Sequence, residues 1–197
     1  MVFYMLRSQL AAFLLFPLLA LALVNEQTVM GEAQTDLSSH STQTLADFLT
    51  IEPSASIFYD YARGIGLGNR LGDDSSVITL LVPMNKAIMK LAKKPHQDKV
   101  RMDEGVVLTE EEMYNRSQKN VERWIAAHMV PVHPIDFDSQ SYPTLLDGTS
   151  VSFEIVKGDP NTPEWSNVLV NKDIRIVGCK EASNGIYYLI DGVLETP

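Results

Sequence analysis

Hydrophobic and polar positions change rhythm along this chain, and one stretch sets the frame. From Val77 to Val82 the residues V-I-T-L-L-V run without a charge, behind the polar cluster Gly72-Asp73-Asp74-Ser75-Ser76. An unbroken run of β-forming residues predicts a strand buried on both faces. Pro83 closes it, because proline has no N–H to offer a sheet. Asn85 then suits the N-cap of a helix whose apolar face is Ala87, Ile88 and Leu91. Strand, proline stop and capped helix form a unit for the rest of the chain to wrap around.

The segments before this unit carry helical spacing. Thr44 and Asp47 make a capping box ahead of Leu45, Phe48 and Leu49, and Pro53 ends that helix. Ser54 is placed to cap the next one, where Ile57, Phe58, Tyr61, Ala62 and Ile65 recur on one face. Gly64, Gly66 and Gly68 break it. No strand precedes these glycines, so they read as a turn and not as a phosphate loop. After a polar stretch from Pro95 to Leu108, Thr109-Glu110-Glu111-Glu112 opens another capped helix. Val121, Trp124, Ile125, His128 and Met129 then form a strong apolar stripe that ends at Val130-Pro131.

The last third changes to strand spacing. Thr144-Leu145-Leu146 meets Asp147-Gly148, a hairpin signal, and Val151, Phe153 and Ile155 alternate with polar neighbours. Val168 to Val170, Ile174 to Val177 and Ile186 to Ile190 are also strand-like. Asn184-Gly185 makes a tight turn before the last of them. Asp191 follows that strand, placed to accept from nearby backbone N–H groups, as Asn85 is at its own helix start. Helices early and strands late predict an α+β fold.

The amino-terminal residues stand apart. Arg7 is the single charge in residues 1–22, and Leu10 to Val24 is apolar. A short positive region, an apolar run too brief for a comfortable span and Ala20-Leu21-Ala22 predict a secretory signal over 1–22, cleaved near Ala22. An uncleaved anchor is the competing reading, against which Pro17 argues. Residues 23–43, rich in Gln, Thr and Ser, read as a flexible lead-in, and 44–197 as a single domain. No stable membrane span is expected after cleavage.

Composition narrows the function classes. A net charge of -9 argues against nucleic-acid binding, which needs a basic surface. The lone Cys179 leaves no internal disulfide, so the fold must rest on core packing. Asn115-Arg116-Ser117 is an N-glycosylation sequon in polar surroundings. His128 lies on an apolar stripe, which favours a hydrogen-bonded core histidine over a base or a metal ligand. There is no Gly-x-Ser-x-Gly elbow, His-Glu-x-x-His helix or Walker loop. His128 and His133 flank Pro131 at poor spacing for ligands on one helix, and Asp136-Phe137-Asp138 lacks the EF-hand glycine. No catalytic residue, cofactor or metal is expected.

Three segments, in order, resemble the fasciclin I-like (FAS1) domain family. Thr79-Leu80-Leu81-Val82-Pro83-Met84-Asn85-Lys86-Ala87-Ile88 is similar to its Thr-Val-Phe-Ala-Pro-Thr-Asn-x-Ala-Phe signature. Ile125-Ala126-Ala127-His128-Met129-Val130-Pro131 resembles its Leu-x-Tyr-His-Val-Val-Pro segment. Asn184-Gly185-Ile186-Tyr187-Tyr188-Leu189-Ile190-Asp191-Gly192-Val193-Leu194 resembles its closing Asn-Gly-Val-x-His-x-Ile-Asp-x-Val-Leu pattern. The chain departs from the family at Met84, Ala127 and Tyr188, which stand for threonine, tyrosine and histidine. Cys179-Lys180 occupy the place of an Asp-Ile pair implicated in integrin binding, so that property is not carried over.

The resemblance implies helices packed against a wedge-shaped pair of β-sheets, with Pro83, Asn85, His128, Asn184, Gly185 and Asp191 as structural motif residues. It implies a non-catalytic interaction or adhesion module of the secretory pathway, in the vacuole or at the cell surface, with a protein or a cell-surface or wall glycan as partner. A soluble ligand carrier, using a groove between helices and strands, is the alternative, and a hydrolase is the remaining one.

Overall fold

The computed structural model describes residues 42–97, 108–137, 141–158 and 161–196. The expected signal segment and most of the lead-in lie outside them. Helices come first: α1 (Leu45–Thr50), α2 (Ser56–Arg63), α3 (Asn85–Lys90) and α4 (Glu110–Ala127). The strands are β1 (Ile78–Pro83), β2 (Met129–Val130), β3 (Ser141–Pro143), β4 (Ser150–Ile155), β5 (Val168–Val170), β6 (Ile174–Ala182) and β7 (Gly185–Ile190). The fold is α+β, as the element order predicts.

The strands are hydrogen-bonded in the order β2-β1-β7-β6-β5-β4-β3. Every neighbouring pair is antiparallel except β1 and β7, which run parallel with Ile78 opposite Gly185 and Pro83 opposite Ile190. A parallel pair needs a crossover connection. Here nearly all the intervening chain is that crossover, so the first and last of the described strands lie side by side.

β1 is buried along its whole length, as its uncharged run predicts. Ile78, Leu80 and Val82 enter one apolar cluster with Phe48, Phe58 and Trp124 from the helices. Leu81 enters a second cluster with Val151 and Phe153 of β4 and Ile186 and Tyr188 of β7. β4 is far from β1 in the strand order, yet the two share a core. The sheet therefore curls so that its two ends face one another across the second cluster.

Both capping boxes form. Thr44 Oγ1 accepts from Asp47 N while Asp47 accepts from Thr44 N, and Thr109 and Glu112 do the same at α4. Each arrangement satisfies two of the orphan amides at a helix start. It also holds the Asp47 and Glu112 carboxyls below their ordinary range, through the bonds from the threonine backbone and hydroxyl.

Several boundaries differ from the sequence expectation. Ser54 does not cap α2: Glu52 accepts from Ser54 N and heads a short 3-10 turn, Pro53–Ala55, ahead of the helix. The Gly66 and Gly68 region is not a simple turn but a 3-10 segment, Gly66–Gly72. α4 ends at Ala127, so Met129 leaves the helical stripe and pairs with Leu80 in β2. Thr144, Leu145 and Leu146 belong to the turn between β3 and β4, where Thr144 N donates to Thr149 O. β6 runs on past Val177 to Ala182 across an irregularity between Ile176 and Gly178, leaving Val177 exposed. A bulge of this kind breaks the two-residue period that marks a strand in sequence.

Gly185 opens β7 at φ +142, and a Cβ there would lie 1.9 Å from Ile78 O. Strain and overlap with main chain act together at this position. Gly148, at φ +72, faces open space, so strain acts there without overlap. Gly185→Ala is expected to lower unfolding free energy by about 3 kcal/mol and Gly148→Ala by about 1 kcal/mol, measured as urea midpoints. Equal losses would show that the approach of β1 to Gly185 is not what demands glycine.

Candidate functional site

The six motif residues fall at the two ends of the parallel pair and at its β2 edge. They do not converge on one cleft. At the starting end, Gly185 is in register with Ile78 and Asn184 O accepts from Ile78 N at 3.2 Å. At the other end, Pro83 is in register with Ile190, and Met84 N donates to Ile190 O at 3.0 Å. Asn85 and Asp191 follow directly.

Asn184 is buried, with 1% of its surface exposed. Its Oδ1 accepts from Leu45 N at 2.8 Å, and its Nδ2 donates to Leu71 O at 2.9 Å and to Asp73 O at 3.2 Å. One amide thus ties the first turn of α1 and the chain entering β1 to the last hairpin. The sequence suggested Asn184 for its tolerance of a tight turn. The positive φ belongs to Gly185, and the asparagine serves through its side chain.

Asn85 corrects the expectation in another way. The N-cap of α3 is Met84, with no side-chain cap bond. Asn85 Oδ1 instead accepts from Ile57 N at 2.9 Å, while Nδ2 donates to Pro53 O at 2.9 Å and Ser56 Oγ at 3.0 Å. It completes the start of α2, which has no cap of its own. The other end of α3 is closed by Lys94, whose Nζ donates to Met89 O at 2.9 Å and Leu91 O at 3.0 Å. A cap supplied from a distant part of the chain, as Asn85 supplies one to α2, carries no local sequence signal. Asp191 behaves as expected, accepting from Arg175 N at 2.8 Å.

His128 is fully buried at the end of α4, against Phe58 and Trp124. Nδ1 lies 2.7 Å from Trp124 O, and Leu194 N donates to Nε2 at 3.2 Å. A carbonyl can only accept and an amide can only donate, so the proton sits on Nδ1 and the ring is neutral. Protonating Nε2 would set two N–H groups against each other. Burial pushes the imidazole down to about 4, against a smaller upward pull from the Trp124 carbonyl. The imidazole links a helix end to the carboxyl-terminal segment, as the core-histidine reading expects.

Cys179 is half-buried on β6 and forms no disulfide. Burial, reinforced by Glu181, pushes its thiol up to about 11, which keeps it protonated and poorly nucleophilic at neutral pH. Asn115 is exposed on the second turn of α4. Among the described residues no group of three His, Cys, Asp or Glu is arranged to hold a metal ion. Asp138 lies outside them.

Cavities open among the described residues, two of them sizeable. One, of about 670 Å³, opens between α4 and the carboxyl-terminal segment beside Trp124 and Leu194, with Lys93, Lys94, Arg116 and Arg123 around it. The other, of about 570 Å³, lies over the strands between Phe137, Trp165 and Tyr188. Neither follows from the motif residues.

The Fasciclin domain family model matches residues 53–197. The chain belongs to this family. The match spans all three motif segments and the helices that Asn85 and His128 hold in place. Among fungal relatives, a FAS1 domain-containing protein of Neurospora crassa is 28% identical over 161 residues, covering 73% of this chain and 67% of that protein. One from Aspergillus fumigatus is 32% identical over 154 residues, 76% of this chain and 62% of that protein. One from Saccharomyces cerevisiae is 24% identical over 203 residues, 88% of this chain and 72% of that protein. Among solved structures, the FAS1 domain pair of the insect cell adhesion molecule Fasciclin I superposes with a TM-score of 0.53 at 16% identity. That match covers 79% of this chain and 52% of the domain pair, so the chain spans about half of it.

A histidine whose folded pKa lies below its unfolded value of 6.5 contributes stability that is present above 6.5 and is lost as pH falls toward about 4. Between pH 6.5 and 5, above most carboxylate titration, the loss is about 2 kcal/mol. Urea unfolding across that range should show this slope in the wild type and a much flatter one in His128→Gln. An unchanged slope would remove His128 as its source. Asn184→Asp keeps the acceptor for Leu45 but turns an oxygen toward Leu71 O and Asp73 O. It should cost about 3 kcal/mol at pH 7.

Proposed function

We propose that the chain is a non-catalytic interaction module of the secretory pathway, acting at the cell surface, in the wall or in the vacuole. The observation that carries this reading is the use of the family's polar signature residues. Asn85, His128, Asn184 and Asp191 all direct their side chains at the chain's own backbone. A general base needs access to a substrate proton. His128 instead has both ring nitrogens engaged by Trp124 O and Leu194 N, and no carboxylate among the described residues contributes to its shift. Side chains turned on the chain's own backbone hold a scaffold, which leaves recognition to its outer surface.

The structural neighbour from an insect cell adhesion molecule supports the adhesion class for this fold. The apolar segment before Ala22 supports entry into the secretory pathway, and exposed Asn115 supports glycan addition there. The partner is a protein or a cell-surface or wall glycan, met through an acidic exterior.

Crosslinking on intact cells with a tagged chain should capture a recurrent surface, wall or vacuolar component. Secreted material should begin near Leu23, and endoglycosidase should shift the wild type but not Asn115→Ala. Turnover of ester or phosphate substrates that disappears in His128→Ala, with melting temperature preserved, would contradict the non-catalytic reading.

A further inference from the structure

We infer that the cavity over the strands is a binding site for a small protonated amine carrying an aromatic or branched apolar group. This goes beyond the interaction-module reading and does not depend on it. The cavity measures about 570 Å³, within the size range of small-molecule sites. Its apolar surface comes from Ile135, Phe137, Trp165 and Ile186. Phe137 is held edge-on against Tyr188 with ring centroids 5.7 Å apart, and against Phe153 at 5.5 Å. The rings are therefore fixed by the second apolar cluster before any ligand arrives.

Tyr188 supplies the polar contact. It is only 6% exposed, it lines this cavity, and its hydroxyl has no hydrogen-bond partner among the described residues. Tyr188 Oη is not among the buried unpaired atoms of the described residues, so the little surface the residue keeps leaves its hydroxyl reachable. Tyr187, the neighbour on the opposite face of β7, does have a partner, Glu52. Tyr188 lines the cavity, so a ligand N–H bound there would meet a hydroxyl that no protein group occupies.

Charge selects the ligand's sign. Asp136 and Glu164 are exposed at the cavity's edge, and no described wall residue is a lysine, arginine or histidine. Cys179, also in the wall, remains a neutral thiol. Burial, reinforced by Cys179 and Glu164, pushes the Tyr188 phenol up, which keeps the hydroxyl intact. The other large cavity has the reverse character, with four basic residues around it. Carboxylates at the mouth and aromatic faces within stabilise an ammonium group by charge and by cation–π attraction. A carboxylate or phosphate ligand would meet repulsion. A bare metal ion would find a floor of rings and isoleucines that cannot ligate it.

The test compares three probes of one size on the full chain at pH 7: benzylammonium, benzyl alcohol and benzoate. Binding is followed by Trp165 fluorescence, with Trp124→Phe as background, and by methyl NMR shifts of Ile135 and Ile186. Benzylammonium should saturate with a Kd at least about tenfold below that of benzyl alcohol, and benzoate should not bind. Glu164→Gln, at an exposed position, should weaken benzylammonium about threefold or more and leave benzyl alcohol unchanged. Tyr188→Phe should weaken both amine and alcohol while leaving the melting transition cooperative. Absence of saturable shifts up to about 10 mM would overturn the assignment. So would benzoate or benzyl alcohol binding as tightly as the amine, or Glu164→Gln binding benzylammonium as the wild type does.

Discussion

The burial of β1 on both faces is the constraint on which the rest of this structure depends. A strand with Ile78, Leu80 and Val82 in one core and Leu81 in another cannot stand at a solvent-facing surface of the sheet. It needs helices on one side and the curled-over strands on the other. Its partner β7 alternates in the same way, with Tyr187 toward the helical core and Ile186, Tyr188 and Ile190 toward the strand core. Because β7 is the last strand and runs parallel to β1, both cores close only when the carboxyl-terminal segment arrives.

Polar side chains make that closure specific. Apolar packing has no direction, so it does not by itself fix where α1, α2 and the terminal segment join the central strands. Asn184 fixes the first, Asn85 the second and His128 the third, each by bonding backbone groups that no helix or ladder satisfies. Leaving such groups buried without partners costs more than the bonds themselves contribute. The three residues therefore act as register marks for the assembly. That role is a structural one, carried by the side chains of the three motif segments.

The fold was largely legible in the sequence because its strongest signals are local. The uncharged run at β1, the capping boxes at Thr44 and Thr109 and the alternation in β4 each report a segment's own environment. What escaped was non-local. Asn85 looks like a cap for α3, and only the placement of α2 beside it reveals the helix it serves. Lys94 closes the end of α3 from the loop that follows it, and Glu52 caps a 3-10 turn too short to show a period. The bulge at Val177 hid the continuation of β6 by shifting its period. The amine cavity left one trace, since Tyr188 stands where the family pattern has histidine. Its other walls, Phe137 and Trp165, come from loops whose convergence no spacing announces.

The scaffold separates its working parts cleanly. Its signature residues hold the centre, while the strand-side cavity and the acidic exterior remain available for recognition. Amide hydrogen exchange at Leu194 tests the central claim most directly. This N–H lies outside every described helix and strand, where local opening is the ordinary outcome, yet it is bonded to His128 in the interior. The account predicts that Leu194 N–H exchanges with the same free energy as Leu81 N–H in β1, through global unfolding. Exchange of Leu194 by local opening, well below the protection of Leu81, would contradict a structure locked by its last segment.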